Sequence, residues 1–224
     1  MNKSIFLLFT LISFVFSQQL FEINYYQYEE GQCDGSQDGS GSLEACGHPS
    51  NIVSTAYAKF EECLLFNGGF SRLSLVSSNT VNYTVFYHGC DEGVQQSEII
   101  EIGSCYANCQ DAAAQNSFSI SIIDESSVVI PNSNSFATIY YGGDCNGDWK
   151  SNYTFIEFMN TNICVNEGVY GSLMLKCNPI INQLTIHSYD TQNCEDQLSA
   201  TEVPLSLENC NYFNDDMNMA LYCN

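Results

Sequence analysis

Apolar and polar residues alternate along much of this chain, and the alternation has a period of two. The clearest run is Ser117 to Ile122, SFSISI, which puts Phe118, Ile120 and Ile122 on one face and serines on the other. Val81 to His88 alternates too, placing Val81, Tyr83, Val85 and Tyr87 inward and Asn82 and Thr84 outward. Comparable runs are 21–28, 72–77, 98–102, 127–130, 136–141, 153–159, 172–177, 184–189 and 219–223, separated by Gly, Asn, Asp and Ser. Many short strands with turn residues between them predict an all-β chain, built as a sandwich or a stack of hairpins. Only Ser54 to Phe66, STAYAKFEECLLF, competes as a helix, with Ser54 as its cap. Propensity argues for that helix and the place of Cys63 argues for a strand.

Four of these runs end in the same way. FEINYYQYEEGQC, NYTVFYHGC, FATIYYGGDC and QLTIHSYDTQNC each carry aromatic strand residues into a cysteine, and each first cysteine is followed by Asp, Asn or Glu. A second cysteine follows after 12, 14, 18 and 15 residues, and a third after that, which accounts for all 12 cysteines. The chain therefore reads as four degenerate hairpin repeats in a disulfide-rich all-β architecture, sandwich-like or stacked. First-to-second pairing gives Cys33–Cys46, Cys90–Cys105, Cys145–Cys164 and Cys194–Cys210, with Cys63–Cys109 and Cys177–Cys223 joining the remainder. Each bridge contributes about 3 kcal/mol for a ~15-residue loop in the chain-entropy view. Zinc is disfavoured, because there is no C-x-x-C pair and there are only 3 histidines.

Residues 1–17 pair Lys3 with the apolar run IFLLFTLISFVF and a small residue before Gln18, the pattern of a cleaved signal peptide. The mature domain is then 18–224, a secreted cysteine-rich domain with pseudo-halves 18–112 and 113–224 divided at QDAAAQN. No later stretch is long and apolar enough for a membrane span. The formal net charge is −21, with 26 acids against 5 Lys and Arg. Loss of Lys3 leaves only Lys59, Arg72, Lys150 and Lys176. Such a surface repels nucleic acid and anionic lipid and invites cations or a basic partner.

Candidate chemistry is sparse. Asp34, Asp38, Asp144, Asn146 and Asp148 lie in acidic loops and supply the oxygen ligands that calcium takes, although the same residues also initiate turns. The loop from Asp34 has Gly39 where an EF-hand needs glycine but Ala45 where it needs Glu, and it lacks flanking helices. Trp149 and Tyr153 are candidates for stacking on a sugar or anchoring a protein contact, against the alternative of rings folded over their own hairpin. Asn82 and Asn152 head N-x-T sequons for glycan. Neither a nucleophile elbow nor an H-E-x-x-H motif occurs, so no catalytic residue is assigned and no cofactor is expected beyond calcium.

The motifs IYYGGDC and IHSYDTQNC, the Asn- and Ser-rich texture and the cysteine rhythm resemble the small secreted cysteine-rich proteins of social amoebae. That resemblance implies an extracellular factor or surface component and transfers no catalytic residue. The first reading is a non-enzymatic secreted glycoprotein acting through its surface on an extracellular protein or glycan, in adhesion, signalling or matrix. The alternatives are an extracellular calcium- or carbohydrate-binding module, and a hydrolase using two carboxylates.

Overall fold

A computed structural model describes residues 18–27, 40–41, 46, 51–66, 69–107, 117–131, 134–141, 153–166, 171–205, 211–214 and 217–223. Its strands run in chain order as β1 (Gln19–Tyr26), β2 (Ser40–Gly41), β3 (Ile52–Lys59), β4 (Cys63–Phe66), β5 (Gly69–Ser77), β6 (Thr80–Phe86), β7 (Val94–Glu101), β8 (Cys105–Ala107) and β9 (Ser117–Asp124). They continue as β10 (Ser135–Tyr141), β11 (Tyr153–Asn160), β12 (Val165–Asn166), β13 (Ser172–Asn178), β14 (Gln183–Tyr189), β15 (Gln197–Pro204), β16 (Asn211–Asn214) and β17 (Met217–Cys223). The protein is an all-β, disulfide-bridged sandwich of one large sheet and two small ones. The large sheet has the order β16-β17-β10-β11-β3-β1-β9-β8-β2. The small sheets are β4-β5-β6-β7 and β12-β13-β14-β15.

That order repeats itself. Strands β1, β3, β4–β7, β8 and β9 take the same roles as β10, β11, β12–β15, β16 and β17, so the chain is a structural duplication. Matching details confirm it. A register irregularity falls between Tyr25 and Tyr26 in the first copy and between Tyr140 and Tyr141 in the second. Glu61 and Asn162 both adopt positive φ, and their N–H groups donate to the carbonyls of Leu73 and Leu175. The four sequence hairpins fall in this scheme as two pairs. The first and third begin at β1 and β10 in the large sheet, whereas the second and fourth are β6–β7 and β14–β15 in the small ones. The strand 117–124 lies past the expected midpoint at 112/113, yet it pairs with β1 and β8 of the first copy.

The copies join through β3 and β11, which run antiparallel with Ala56 opposite Glu157. Since position 56 of one copy corresponds to 157 of the other, the local two-fold axis passes through that pair. Alternation along the ladders puts Phe21, Ile23, Tyr25, Ala56, Ala58, Phe155, Phe136 and Leu221 on one face of the large sheet. Both small sheets cover that face. Leu64, Leu73, Val81 and Ile100 of the first pack on Phe21, Ile23, Ala58 and Phe155. Leu175, Leu184, Ile186 and Val203 of the second pack on Phe136 and Leu221. On the opposite face, Val128 and Ile130 of the inter-copy connection lie against the cluster of Leu20, Tyr57, Ile139 and Ile156.

Several expectations are corrected here. Of the two readings open for residues 54–66, the strand holds: they form β3, a turn at Glu61 and β4, because β3 is the central strand of the large sheet and is paired on both sides. Residues 127–130 leave a short 3₁₀ turn, Glu125–Ser127, and form no strand. Tyr87 lies beyond the end of β6 and is 61% exposed.

The bridges are also redrawn. Cys46 joins Cys105, Cys63 joins Cys90, Cys164 joins Cys194, and Cys177 joins Cys223, with Cα separations of 5.5, 5.6, 5.8 and 5.3 Å. Cys33–Cys46, Cys63–Cys109, Cys90–Cys105, Cys145–Cys164 and Cys194–Cys210 are therefore replaced, and only Cys177–Cys223 joins the two residues paired from sequence. The reason is strand length. In the β6–β7 hairpin Cys90 sits at the turn and Cys105 beyond the far end of the return strand. The eight residues of β7 span about 26 Å at about 3.3 Å per residue, far beyond the reach of a disulfide. Cys33, Cys109, Cys145 and Cys210 lie outside the described residues.

Candidate functional site

Two places in the described structure combine features that a bare scaffold does not require. The first is the two-fold axis itself. There the alternation that makes Phe155 and Met159 apolar on the covered face puts a carboxyl, Glu157, between them. Burial raises the Glu157 carboxyl above the ordinary carboxylate range, opposed only by a hydrogen bond with Ser54. The symmetry-related phenols Tyr25 and Tyr140 flank it. Tyr25 is pushed well above the usual phenol range by burial first, then by Glu157 and Tyr83, and Tyr140 is raised to about 12 by burial and then by Glu157. The cluster is a polar plug of groups that favour their neutral forms. Ala56 is the equivalent residue in the first copy, so one carboxyl serves both.

A two-carboxylate hydrolase requires a second acid on the same face. The other partly buried acid of the central strands, Glu22, points to the opposite face, where Tyr57 and the Ser121 hydroxyl hydrogen-bond it, the latter at 3.0 Å. These two carboxyls are thus kept apart by the sheet.

The second place is the β13–β14 turn. Ile180 and Ile181 are 92% and 61% exposed at its tip, between the closing pair Asn178 and Gln183, where the first copy has a shorter turn, Ser78-Asn79, closed by Ser77 and Thr80. The turn is held firmly. The Ile180 N–H donates to Asn178 Oδ1 at 3.2 Å, and Asn182, at φ 45°, donates from Nδ2 to the Leu205 carbonyl and accepts the Cys223 N–H. The Cys177–Cys223 bridge lies at its base. Two large apolar side chains on a fixed turn cost free energy in water and gain it on covering.

The residues singled out from sequence are distributed differently. Asp34, Asp38, Asp144, Asn146, Asp148, Trp149 and Asn152 lie outside the described residues. Tyr153, expected as an exposed ring, is 3% exposed and lies under the Lys59 ammonium, whose distance to the ring centroid is 5.2 Å. Its phenol is raised to about 12, mainly by burial. The acidic turns Asp91–Glu92 and Glu195–Asp196 do correspond, since they close β6–β7 and β14–β15 in the two small sheets. Asp91, fully in solvent, lies 3.5 Å from the partly exposed Arg72, and a pair open to water on the carboxylate side contributes little. Among the described residues no group of three or more His, Cys, Asp or Glu side chains is placed to hold a metal, and no helix is long and apolar enough to cross a membrane. Asn82 lies on the outer face of the first small sheet.

Sequence reasoning missed Glu157 and the isoleucine tip. The first had a usable mark, an acid interrupting the apolar run YTFIEFM, and the second had Pro179-Ile180-Ile181 inside a turn.

Comparison with known proteins finds one family. The profile described as counting factor-associated protein A/B/C matches residues 1–223. Counting factor-associated protein A of Dictyostelium discoideum is 24% identical over 236 residues, covering 100% of this chain and 98% of the relative. Counting factor-associated protein C of the same organism is 25% identical over 136 residues, covering 59% of this chain and 60% of the relative. No solved structure matches.

Proposed function

The chain belongs to the counting factor-associated protein A/B/C family, and from that membership we propose a non-enzymatic extracellular protein that holds another protein on its surface, as an adhesion, signalling or matrix component. The family's name is one of association, and the described disulfides suit an oxidising compartment outside the cytosol. The observation that carries the reading is the Ile180–Ile181 tip. It is apolar, exposed and held by hydrogen bonds at the tip of the turn itself, where the first copy has Ser78 and Asn79 and its exposed Val76 lies back on β5. An apolar anchor on a pre-ordered turn suits binding, because little conformational freedom is lost when it is covered. The strongly acidic surface favours a partner with basic residues around the receiving pocket.

The test is to tag the chain in its own host, recover it from the medium and size it without denaturation. The expected result is a species larger than the single chain, with cross-links that centre on the tip. Replacing Ile180→Ser and Ile181→Ser, which removes both apolar side chains from the tip, should weaken the association at least about tenfold, since burying one such side chain is worth about 1.5–3 kcal/mol. A chain that remains in the cytosol, or that runs alone in the medium, overturns the reading.

A further inference from the structure

We propose that Asn82 carries an N-linked glycan whose first sugars lie over Ile99, a proposal that rests on the extracellular reading above. Asn82 is in the middle of β6 and heads the sequon Asn82-Tyr83-Thr84. The strand's alternation sends Val81 and Tyr83 toward the large sheet, where both join the core cluster, and turns Asn82 and Thr84 outward. On the outward face of this small sheet, Asn82 has Ser74 on one side and Ile99 on the other, and Thr84 has Arg72 and Ser97; the charged groups Arg72, Glu101 and Glu61, which the Ser74 hydroxyl bonds at 2.8 Å, lie around Asn82 and Ile99 and not between them.

The Asn82 amide is already oriented. Its Oδ1 accepts the Ser97 hydroxyl at 2.7 Å, and that hydroxyl lies 3.4 Å from Thr84 Oγ1. That bond uses the oxygen and not the nitrogen that bears an N-glycan. Directly across the strand pair from Asn82 is Ile99, 57% exposed.

The second copy provides an internal control. The equivalent cross-strand pair is Thr185 opposite Glu202, with His187 in place of Thr84. Where the sequon is absent, the facing residue is charged and suited to water. Where the sequon is present, it is a bare isoleucine. A sugar core on Asn82 supplies the cover that Ile99 lacks in the protein alone.

The attachment requires a donor, a polyprenyl-diphosphate-linked oligosaccharide of the secretory pathway. The Asn82 Nδ2 forms a bond to C1 of the first sugar as the C1–O bond to diphosphate breaks. The amide gives up one proton to a base, and the lipid diphosphate leaves.

The experiment uses full-length chain collected from the medium of a eukaryotic host. Release of glycan by an amide-hydrolysing glycosidase in heavy-oxygen water leaves a labelled Asp at position 82, read by peptide mass. On the folded protein, that release should raise the fluorescence of a bound apolar dye at least twofold. The Ile99→Thr protein, carrying the same glycans, should show no such rise, which separates uncovering of Ile99 from the charge created by release and from loss of sugar elsewhere. Secreted chain with unlabelled Asn82 overturns the proposal alone. Labelled Asn82 with unchanged dye binding overturns the cover over Ile99. Chain retained in the cytosol overturns this proposal together with the extracellular reading.

Discussion

Glu157 shows how much a single position can carry when symmetry puts it on an axis. Its carboxyl is raised by burial, and the groups facing it are the Ser54 hydroxyl on β3, the Tyr25 phenol on β1 and the Tyr140 phenol on β10, with Tyr83 on β6 beyond Tyr25. A carboxyl raised in the folded state contributes stability that is complete below its unfolded value and is lost as the pH rises through the folded one. Stability at neutral pH should therefore be lower than at mildly acidic pH. The Glu157→Gln protein, which cannot ionise, should lose that slope and become the more stable of the two as the pH rises through the folded value. Denaturant unfolding at pH 5 and pH 7 measures both quantities. An unchanged slope in the variant would move the pH dependence to another group. The sequence did reveal the anomaly, an acid among Phe155, Phe158 and Met159. Alternation tells which face a residue takes, however, and not what is packed over that face.

At the scale of elements, the strands were legible wherever the period-2 pattern ran for six residues or more, and the bridges were not. β3 and β4 escaped because Ala56, Ala58 and Lys59 have no strand preference of their own, and pairing with β1 and β11 decides their state. The bridges are not legible because a short sequence gap between cysteines is a long distance when the residues between them are extended. The Cys177–Cys223 bridge is the most informative of them. The equivalent positions in the first copy are Leu75 and Ile122, so a covalent link in one copy stands where apolar residues stand in the other. It ties the second small sheet to β17 over a sequence separation of 46. The Cys177→Ala/Cys223→Ala protein should lose about 4 kcal/mol by chain-entropy reasoning. Amide exchange should rise first in β13–β15 and leave β5–β7 protected, because the first sheet is held by a fully buried cluster of Leu64, Leu73, Val81 and Ile100. Equal loss of protection in both small sheets would mean that the bridge stabilises the molecule globally.

At the scale of the whole molecule, four hairpin-like motifs were visible in the sequence, and they are the two hairpins of one unit used twice. The duplication stayed hidden because the equivalent strands keep only scattered identities, such as Phe21 with Phe136, Tyr25 with Tyr140, Cys63 with Cys164 and Cys90 with Cys194. Core positions retain apolar character and not identity, which is enough to fill a sandwich. The duplication then constrains the bridges that remain. Every described disulfide closes within one copy, Cys46–Cys105 and Cys63–Cys90 in the first, Cys164–Cys194 and Cys177–Cys223 in the second. The cysteines left over are Cys33 and Cys109 in the first copy, and Cys145 and Cys210 in the second. Peptide mapping without reduction should therefore find Cys33 with Cys109 and Cys145 with Cys210. In sequence Cys210 immediately precedes β16, much as Cys105 opens β8, so Cys145–Cys210 would be the counterpart of Cys46–Cys105. Each copy would then have two bridges in common with the other and one of its own. Cys33–Cys109 would be peculiar to the first and Cys177–Cys223 to the second. A bridge found between copies would break this rule. It would mean that the two units are locked together covalently as well as through β3 and β11.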